Sequence, residues 1–154
     1  MIGVQNAHSC FYLPTSPQYP DHWHYQNDMA VTQLIELNGN HWRKILTIMA
    51  KIMVNGEDWR HYRDIDLLKK HEQIVIGASL LSTTAQVHFI CGQQSAQQLP
   101  IDLKHFMPLD QTSTLFKHCA HAIYLCPYLD YRQFSNLKIN TLRQSLARTP
   151  LHFG

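Results

Sequence analysis

The sequence predicts an α/β protein with a three-layer α/β/α arrangement around a short, mostly parallel sheet. Two apolar runs typical of buried strands, residues 86–91 and 122–126, support this prediction. Each run is followed by a polar stretch and then by residues with helical spacing. Two strand-to-helix units in succession favour parallel pairing through crossover helices, and therefore a sheet covered on both faces.

The composition is that of a single folded domain, residues 1–154, with 45% hydrophobic and 16% charged residues. This balance excludes a disordered chain, which needs high charge and few aromatic residues. The net charge of +2 gives no bulk signal for nucleic-acid binding. No apolar run is long enough to span a bilayer, so we expect no membrane partner. Four cysteines without a CxxC pair, and no signal peptide, predict a cytoplasmic protein with reduced thiols.

Hydrophobic spacing and turn residues predict the remaining elements. Helix 41–53 has the clearest pattern, because its apolar residues recur at i, i+3, i+4 and i+7 between an N-cap at Asn40 and a stop at Asn55-Gly56. In chain order, we also predict a strand at 9–13, a proline-rich arm at 14–28, a helix at 29–37, a helix at 65–71 capped by Asp64, a strand at 73–81, a short helix at 96–99, a helix at 112–121 and a helix at 137–146.

Two groups of possible metal ligands occur in the chain. His22 and His24 lie in the arm, and His118, Cys119, His121 and Cys126 lie near the last strand. Neither group has the spacing of a familiar metal site, so we predict packing or surface roles and no metal or cofactor. The phosphate-binding fingerprints GxGxxG and GxxxxGK[ST] are also absent, which excludes a standard dinucleotide or P-loop site.

Two basic stretches have a surface and a binding interpretation. The polar side of helix 41–53 carries Arg43, Lys44 and Lys51, and a solvated face is the simpler interpretation. Residues 56–64 mix Trp, Tyr and Arg in a way that is common at binding surfaces. The simpler interpretation of the second stretch is a loop anchored by its aromatic residues, with each arginine paired to a nearby acid.

The best candidate site is the loop after the strand at 122–126, because ligands of α/β sheets bind beyond the carboxyl ends of the strands. Arg132 would hold a phosphate, Asp130 and Gln133 would bind polar groups, and Tyr131 or Tyr128 would stack on a planar ligand. A purely structural loop is the alternative. The neighbouring wall of the site would be formed by Gly92 and Gln93.

Three runs of the sequence resemble a family of uncharacterised bacterial proteins with no assigned activity: CPYLDYRQFSN, NHWRKI and GEDWRHYRD. More loosely, the layout from Val87 onward is similar to the carboxyl half of the uracil-DNA glycosylase fold. VHFICGQQSAQQL would supply its strand and turn, and AIYLCPYLDYRQF its strand and proline-bearing DNA-binding loop. The acidic motif of that fold has no counterpart here, and the loop is not His-Pro-Ser, so the resemblance does not extend to glycosylase activity.

The sequence therefore predicts binding of a nucleotide or nucleic acid at the carboxyl ends of the strands, with no catalytic residue assigned. The alternative is a non-catalytic interaction module that forms a homodimer. Aromatic residues in the arm at 22–25 and in the loop at 59–62 favour this alternative, since exposed apolar patches often mark interfaces.

Overall fold

Seven strands form one mixed sheet. The computed structural model describes residues 1–148, and the last six residues of the predicted domain lie outside this range. Four central strands pair in parallel, and the pairs at both edges are antiparallel. The strands are β1 (Ile2–Gly3), β2 (Ser9–Leu13), β3 (Glu72–Ile76), β4 (Val87–Cys91), β5 (Phe106–Pro108), β6 (Phe116–His118) and β7 (Ile123–Cys126), in the spatial order β1-β3-β2-β4-β7-β6-β5.

The α/β class is confirmed, and the prediction of a mostly parallel sheet describes only the centre. The difference comes from β1, which pairs with β3 in antiparallel orientation, and from residues 112–121, where the predicted helix is wrong: β6 pairs there with β5 and β7. The carboxylate of Asp110 accepts hydrogen bonds from the backbone N–H groups of Thr114 and Leu115, and from the hydroxyl of Thr112. These bonds form a turn, and the chain then continues as an edge strand instead of a helix.

Three of the five helices, namely the first, the second and the last along the chain, cover one face of the sheet. Helix α2 buries the predicted apolar stripe, including Trp42, Ile45 and Met49, in the main core. Its start differs from the prediction, because Gly39 is the N-cap and Asn40 is the first helical residue. The helices are α1 (Ala30–Asn38), α2 (Asn40–Met53), α3 (Trp59–His61), α4 (Gln93–Gln98) and α5 (Asn136–Arg148).

The opposite face of the sheet carries a smaller core. Cys10, Tyr12 and Ile90 lie at its centre, and partly buried loop residues such as Leu81 and Ile101 pack against them. The short helix α4 supplies Ala96 to this cluster. The three-layer arrangement therefore stays a prediction on this side of the sheet.

The predicted helix at 65–71 is also wrong. The carboxylate of Asp58 accepts from the N–H of His61 and caps α3, which continues as one π-helical turn at Tyr62–Asp66. Asp64, the predicted cap of the helix at 65–71, lies inside this π-helical turn. Strand β3 is shorter than predicted, since it ends at Ile76 before Gly77, whose φ is 62°. Within residues 1–148, no helix is both long and apolar enough to cross a membrane.

The four parallel strands have their carboxyl ends at one edge of the sheet. Strand β2 lies between β3 and β4, so the connection from β3 to β4 crosses β2 and the strand order reverses there. Such a switch point is where ligands bind in open α/β sheets. The loops that follow β4 and β7 meet near this edge, and they contain the predicted site residues.

Candidate functional site

The carboxyl edge beside β4 and β7 is filled by protein groups. Gly92 has a φ of 89° and donates its N–H to the carbonyl of Cys126 at 2.9 Å. A Cβ at Gly92 would lie 3.2 Å from the ring of Tyr128, so the two residues are in close contact. The Tyr128 hydroxyl is 2.7 Å from Nε2 of His41, in the first turn of α2. Burial raises the pKa of Tyr128, with smaller contributions from Cys91 and Asp130. This pairing closes the edge.

Asp130 organises its own loop and joins it to α2. Its Oδ1 accepts from the N–H of Arg132 at 3.0 Å, and Oδ2 lies 3.4 Å from Nζ of Lys44. Its backbone carbonyl accepts from the N–H groups of Gln133 and Phe134. The N–H of Arg132 and the ammonium of Lys44 lower the pKa of the Asp130 carboxyl. An ionised, neutralised carboxylate suits a structural role better than that of a general base.

The predicted site residues therefore fall into two groups. Gly92 and Tyr128 meet at the sheet edge, whereas the turn from Asp130 to Gln133 lies against α2. The side chain of Arg132 is exposed and forms no ion pair within residues 1–148, and Gln133 uses backbone groups only. Gln93 is exposed at the start of α4.

Tyr131 brings this turn to the polar side of α2. Its exposed ring has Nζ of Lys44 and Nζ of Lys51 each 5.8 Å from its centroid. The two lysines are seven residues apart, which places them two helical turns apart on one face. Both distances are within the range of a cation–π contact.

Trp59 extends the same arrangement. Nζ of Lys51 lies 5.0 Å from its ring centroid, and Cζ of Arg60 lies 4.9 Å from it. Arg63 also stacks on this ring, at 5.4 Å, but it pairs with Asp64 at 2.8 Å. Arg60 is exposed and has no carboxylate partner among residues 1–148. We call the surface formed by Lys44, Lys51, Trp59, Arg60 and Tyr131 the basic face.

A side cleft of about 420 Å³ adjoins the basic face, between the end of α2 and the first half of α5. Lys51 and Trp59 belong to both. The Arg143 guanidinium forms one wall, where it donates to the carbonyls of Val54 and Gly56 at 3.0 and 3.1 Å. Its charge thereby stabilises the carboxyl end of α2. The remaining polar side chains of the lining are Glu57, Asn136 and Asn140.

The histidine-rich hairpin has a structural explanation. Nδ1 of His118 accepts from the N–H groups of Ala120 and His121, so this nitrogen is occupied by the turn. The His118 ring lies 5.8 Å from that of His105 and 4.9 Å from that of His121. Within residues 1–148, no group of three or more His, Cys, Asp or Glu residues is arranged to hold a metal ion. The four cysteines are free.

A family model described as a family of unknown function, DUF6942, matches residues 1–147. The chain belongs to this family. No curated protein and no solved structure matches the chain. The bacterial origin and the likeness to the uracil-DNA glycosylase fold therefore stay predictions for this DUF6942 protein.

From the sequence, most residues of the basic face of this DUF6942 chain have no predicted site role. Lys44 and Lys51 were expected to be simply solvated, and Trp59 to anchor a loop. The i, i+7 spacing of the two lysines was the available signal, because it places both on one side of α2. Nothing local to the sequence indicates that Tyr131 lies between them, since that contact depends on how the last loop packs on α2.

Proposed function

We propose that this protein binds nucleic acid or a nucleotide, and that the phosphates lie on the basic face. The proposal keeps Tyr131 and Arg132 from the predicted site and moves its centre from the sheet edge to α2. The observation that carries it is the alternation of rings and cations along Lys44, Tyr131, Lys51 and Trp59.

The charges of the basic face are suited to phosphate binding. Among residues 1–148, Lys51 and Arg60 form no ion pair with a carboxylate: Lys51 donates to Asn136 at 3.0 Å, and Arg60 stacks on Trp59. Arg132, next to Tyr131 in the chain, adds an exposed cation whose charge also acts on Asp130. Lysine and arginine side chains that neutralise phosphates supply most of the affinity of non-specific nucleic-acid binding.

The aromatic rings distinguish this surface from an ordinary solvated helix face. Tyr131 is 45% exposed, although burial of its large aromatic ring would stabilise the fold. Its ring and that of Trp59 hold the lysine side chains in defined positions, which lowers the entropy cost of ordering them on binding. Exposed rings interleaved with cations are typical of surfaces that bind single strands by stacking and by charge.

The first test measures binding of a fluorescent single-stranded oligonucleotide by anisotropy over a range of salt concentrations. The double substitution Lys51→Gln and Arg60→Gln should weaken binding about tenfold or more at low salt. It should also reduce the slope of log K against log [salt] by about 0.7 for each phosphate that the variant no longer neutralises. A matched control, Lys70→Gln with Lys104→Gln, removes the same charge from exposed positions outside the basic face.

The two double variants separate specific placement from net charge. Equal weakening by both would contradict the proposal, because general electrostatic attraction would then explain binding. No binding of the unaltered protein at millimolar ligand would overturn it directly.

The second candidate function is homodimerisation through the edge strand β5. Its Met107 is 64% exposed, and Leu103 just before it is 67% exposed. An unpaired strand edge with apolar side chains is a template for pairing with a second copy. The arm no longer favours this function, because Trp23 packs on the core and donates its Nε1–H to Ala30 at 2.8 Å. A strictly monomeric mass by light scattering at high micromolar concentration would exclude it.

A further inference from the structure

We infer that the side cleft receives an unpaired base, and that the ligand of the basic face is therefore a single strand with a preference for cytosine over thymine. This inference rests on the proposed function and identifies the class of nucleic acid. It is carried by the position of the cleft and by the chemistry of its lining.

The position of the cleft links it directly to the basic face. Lys51 and Trp59 contribute to both surfaces, so a strand whose phosphate contacts Lys51 has its neighbouring base beside the cleft opening. The volume of about 420 Å³ falls within the range of small-ligand sites in proteins. Val54 and Ile139 give the cleft an apolar wall that suits the face of a planar base.

The lining contains the cations of Lys51 and Arg143, and it also contains polar groups that suit a base edge. Glu57 carries a carboxylate that forms no hydrogen bond or ion pair with residues 1–148, and this charge repels phosphate. Asn140 lies in the same lining, and its amide likewise forms no hydrogen bond within the described range. The Arg143 guanidinium in this lining donates to backbone carbonyls, whereas the carboxylate and the amide offer acceptors and donors to a neutral heterocycle.

Duplex nucleic acid cannot present a base in this way. Its bases are stacked and paired, so their faces and Watson–Crick edges are unavailable to a cleft beside the backbone. An unpaired strand exposes both the ring face and the edge at low cost. Binding through the cleft therefore requires a single strand or a flipped base, while binding through the basic face alone does not.

Glu57 also distinguishes between bases. A carboxylate accepts a hydrogen bond from the exocyclic amino group of cytosine. Thymine presents the O4 acceptor at the corresponding position, which a carboxylate repels. The cleft should therefore favour cytosine over thymine when the length and charge of the strand are the same.

The test compares four fluorescent ligands of equal length, about 12 nucleotides, a length within the range of single-strand sites. They are oligo-dC, oligo-dT, an abasic strand, and a duplex containing the oligo-dC strand. At pH 8 we expect oligo-dC to bind about fivefold more tightly than oligo-dT, and about tenfold more tightly than the abasic strand. Glu57→Gln should remove the difference between oligo-dC and oligo-dT. Asn140→Leu, which replaces the amide of the lining by an apolar side chain at an exposed position, should reduce binding of oligo-dC toward the level of the abasic strand.

The outcomes separate this inference from the proposed function. Equal binding of all four ligands, still weakened by the substitutions at Lys51 and Arg60, would overturn the cleft inference and leave phosphate binding intact. Tighter binding of the duplex than of oligo-dC would also overturn it. Absence of binding to every ligand would overturn both. Lys104→Gln, outside both surfaces, serves as the control and should change none of the preferences.

Discussion

Polar side chains in the interior of the sheet are buried and hydrogen-bonded, whereas those on the outer side of α2 remain accessible. In the sheet, Glu72 is fully buried, with its oxygens bound by the N–H of Leu68 and the hydroxyl of Tyr62. On α2, the cations of Lys51 and Arg60 contact rings and amides and remain accessible. The comparison indicates that the protonation of a buried group such as Glu72 affects the stability of the fold, whereas the basic face is accessible for binding.

The largest expected effect concerns Glu72, whose burial raises its pKa from 4.5 to about 7. Since the folded state holds this proton more tightly than the unfolded state, the stabilisation is complete below the unfolded pKa and is lost as the pH rises through 7. The loss is about 1.4 kcal/mol per pH unit across this window, or about 3 kcal/mol in total. Urea denaturation at pH 5 and pH 8 measures it.

Glu72→Gln provides the matched comparison, because glutamine keeps the shape and cannot titrate. Relative to the unaltered protein, the variant should gain about 2–3 kcal/mol of unfolding free energy between pH 5 and pH 8, which covers most of the titration window. Titrations of histidines cancel in this difference. A constant difference across the pH range would contradict the raised pKa of Glu72. A change in oligonucleotide binding at fixed pH would contradict the separation between the sheet interior and the basic face.

The next effect in size is at Gly92, where the sheet edge meets Tyr128. Its φ of 89° and ψ of 167° lie in a region that is essentially restricted to glycine, and a Cβ would lie 3.2 Å from the Tyr128 ring. Gly92→Ala should therefore lower the unfolding free energy by about 2–3 kcal/mol.

Gly39 is the control for this substitution. Its φ of 77° and ψ of −153° are similar, but no atom lies within 4 Å of a Cβ there. Gly39→Ala should show the backbone cost of about 1–3 kcal/mol without the steric contact, and the difference between the variants isolates the contact with Tyr128. Equal costs would mean that Tyr128 can move away and that the edge is not rigid.

The parts of this fold that could be predicted from the sequence are those fixed by local pattern. Strands β4 and β7 and helix α2 follow from apolar runs and from 3.6-residue spacing. The hairpin of β5 and β6 was missed because its residues also suit a helix, and only pairing with β7 and the Asp110 turn selects the strand.

The candidate site was located only in part, for a related reason. The loop after β7 was identified by its position and composition, but it packs against α2, where Asp130 meets Lys44. That contact joins two segments distant in the chain. Glu72 had no signal at all, since a glutamate at the start of a strand is usually exposed and this one is buried under a π-helical turn.

A smaller effect is expected at Asp130, which joins the two regions. Asp130→Asn keeps an oxygen to accept from the N–H of Arg132 and removes the charge that neutralises Lys44. Oligonucleotide binding at low salt should therefore become about threefold to tenfold tighter, with a steeper salt dependence. Anisotropy titration at two salt concentrations measures this change. Weaker binding would indicate that the Lys44 pair is needed to hold the basic face in its binding geometry.

The smallest effect is expected at Tyr128. Tyr128→Phe removes the hydroxyl that lies 2.7 Å from Nε2 of His41 and leaves the ring against Gly92. Since His41 is exposed and can bond to water instead, the cost should be about 0.5–1 kcal/mol of unfolding free energy. Oligonucleotide affinity should not change, because the hydroxyl belongs to the sheet edge and not to the basic face. A smaller loss of stability together with a clear loss of affinity would contradict this separation. The Tyr128 hydroxyl would then contact the ligand, and the carboxyl edge of the sheet would be the centre of the binding site.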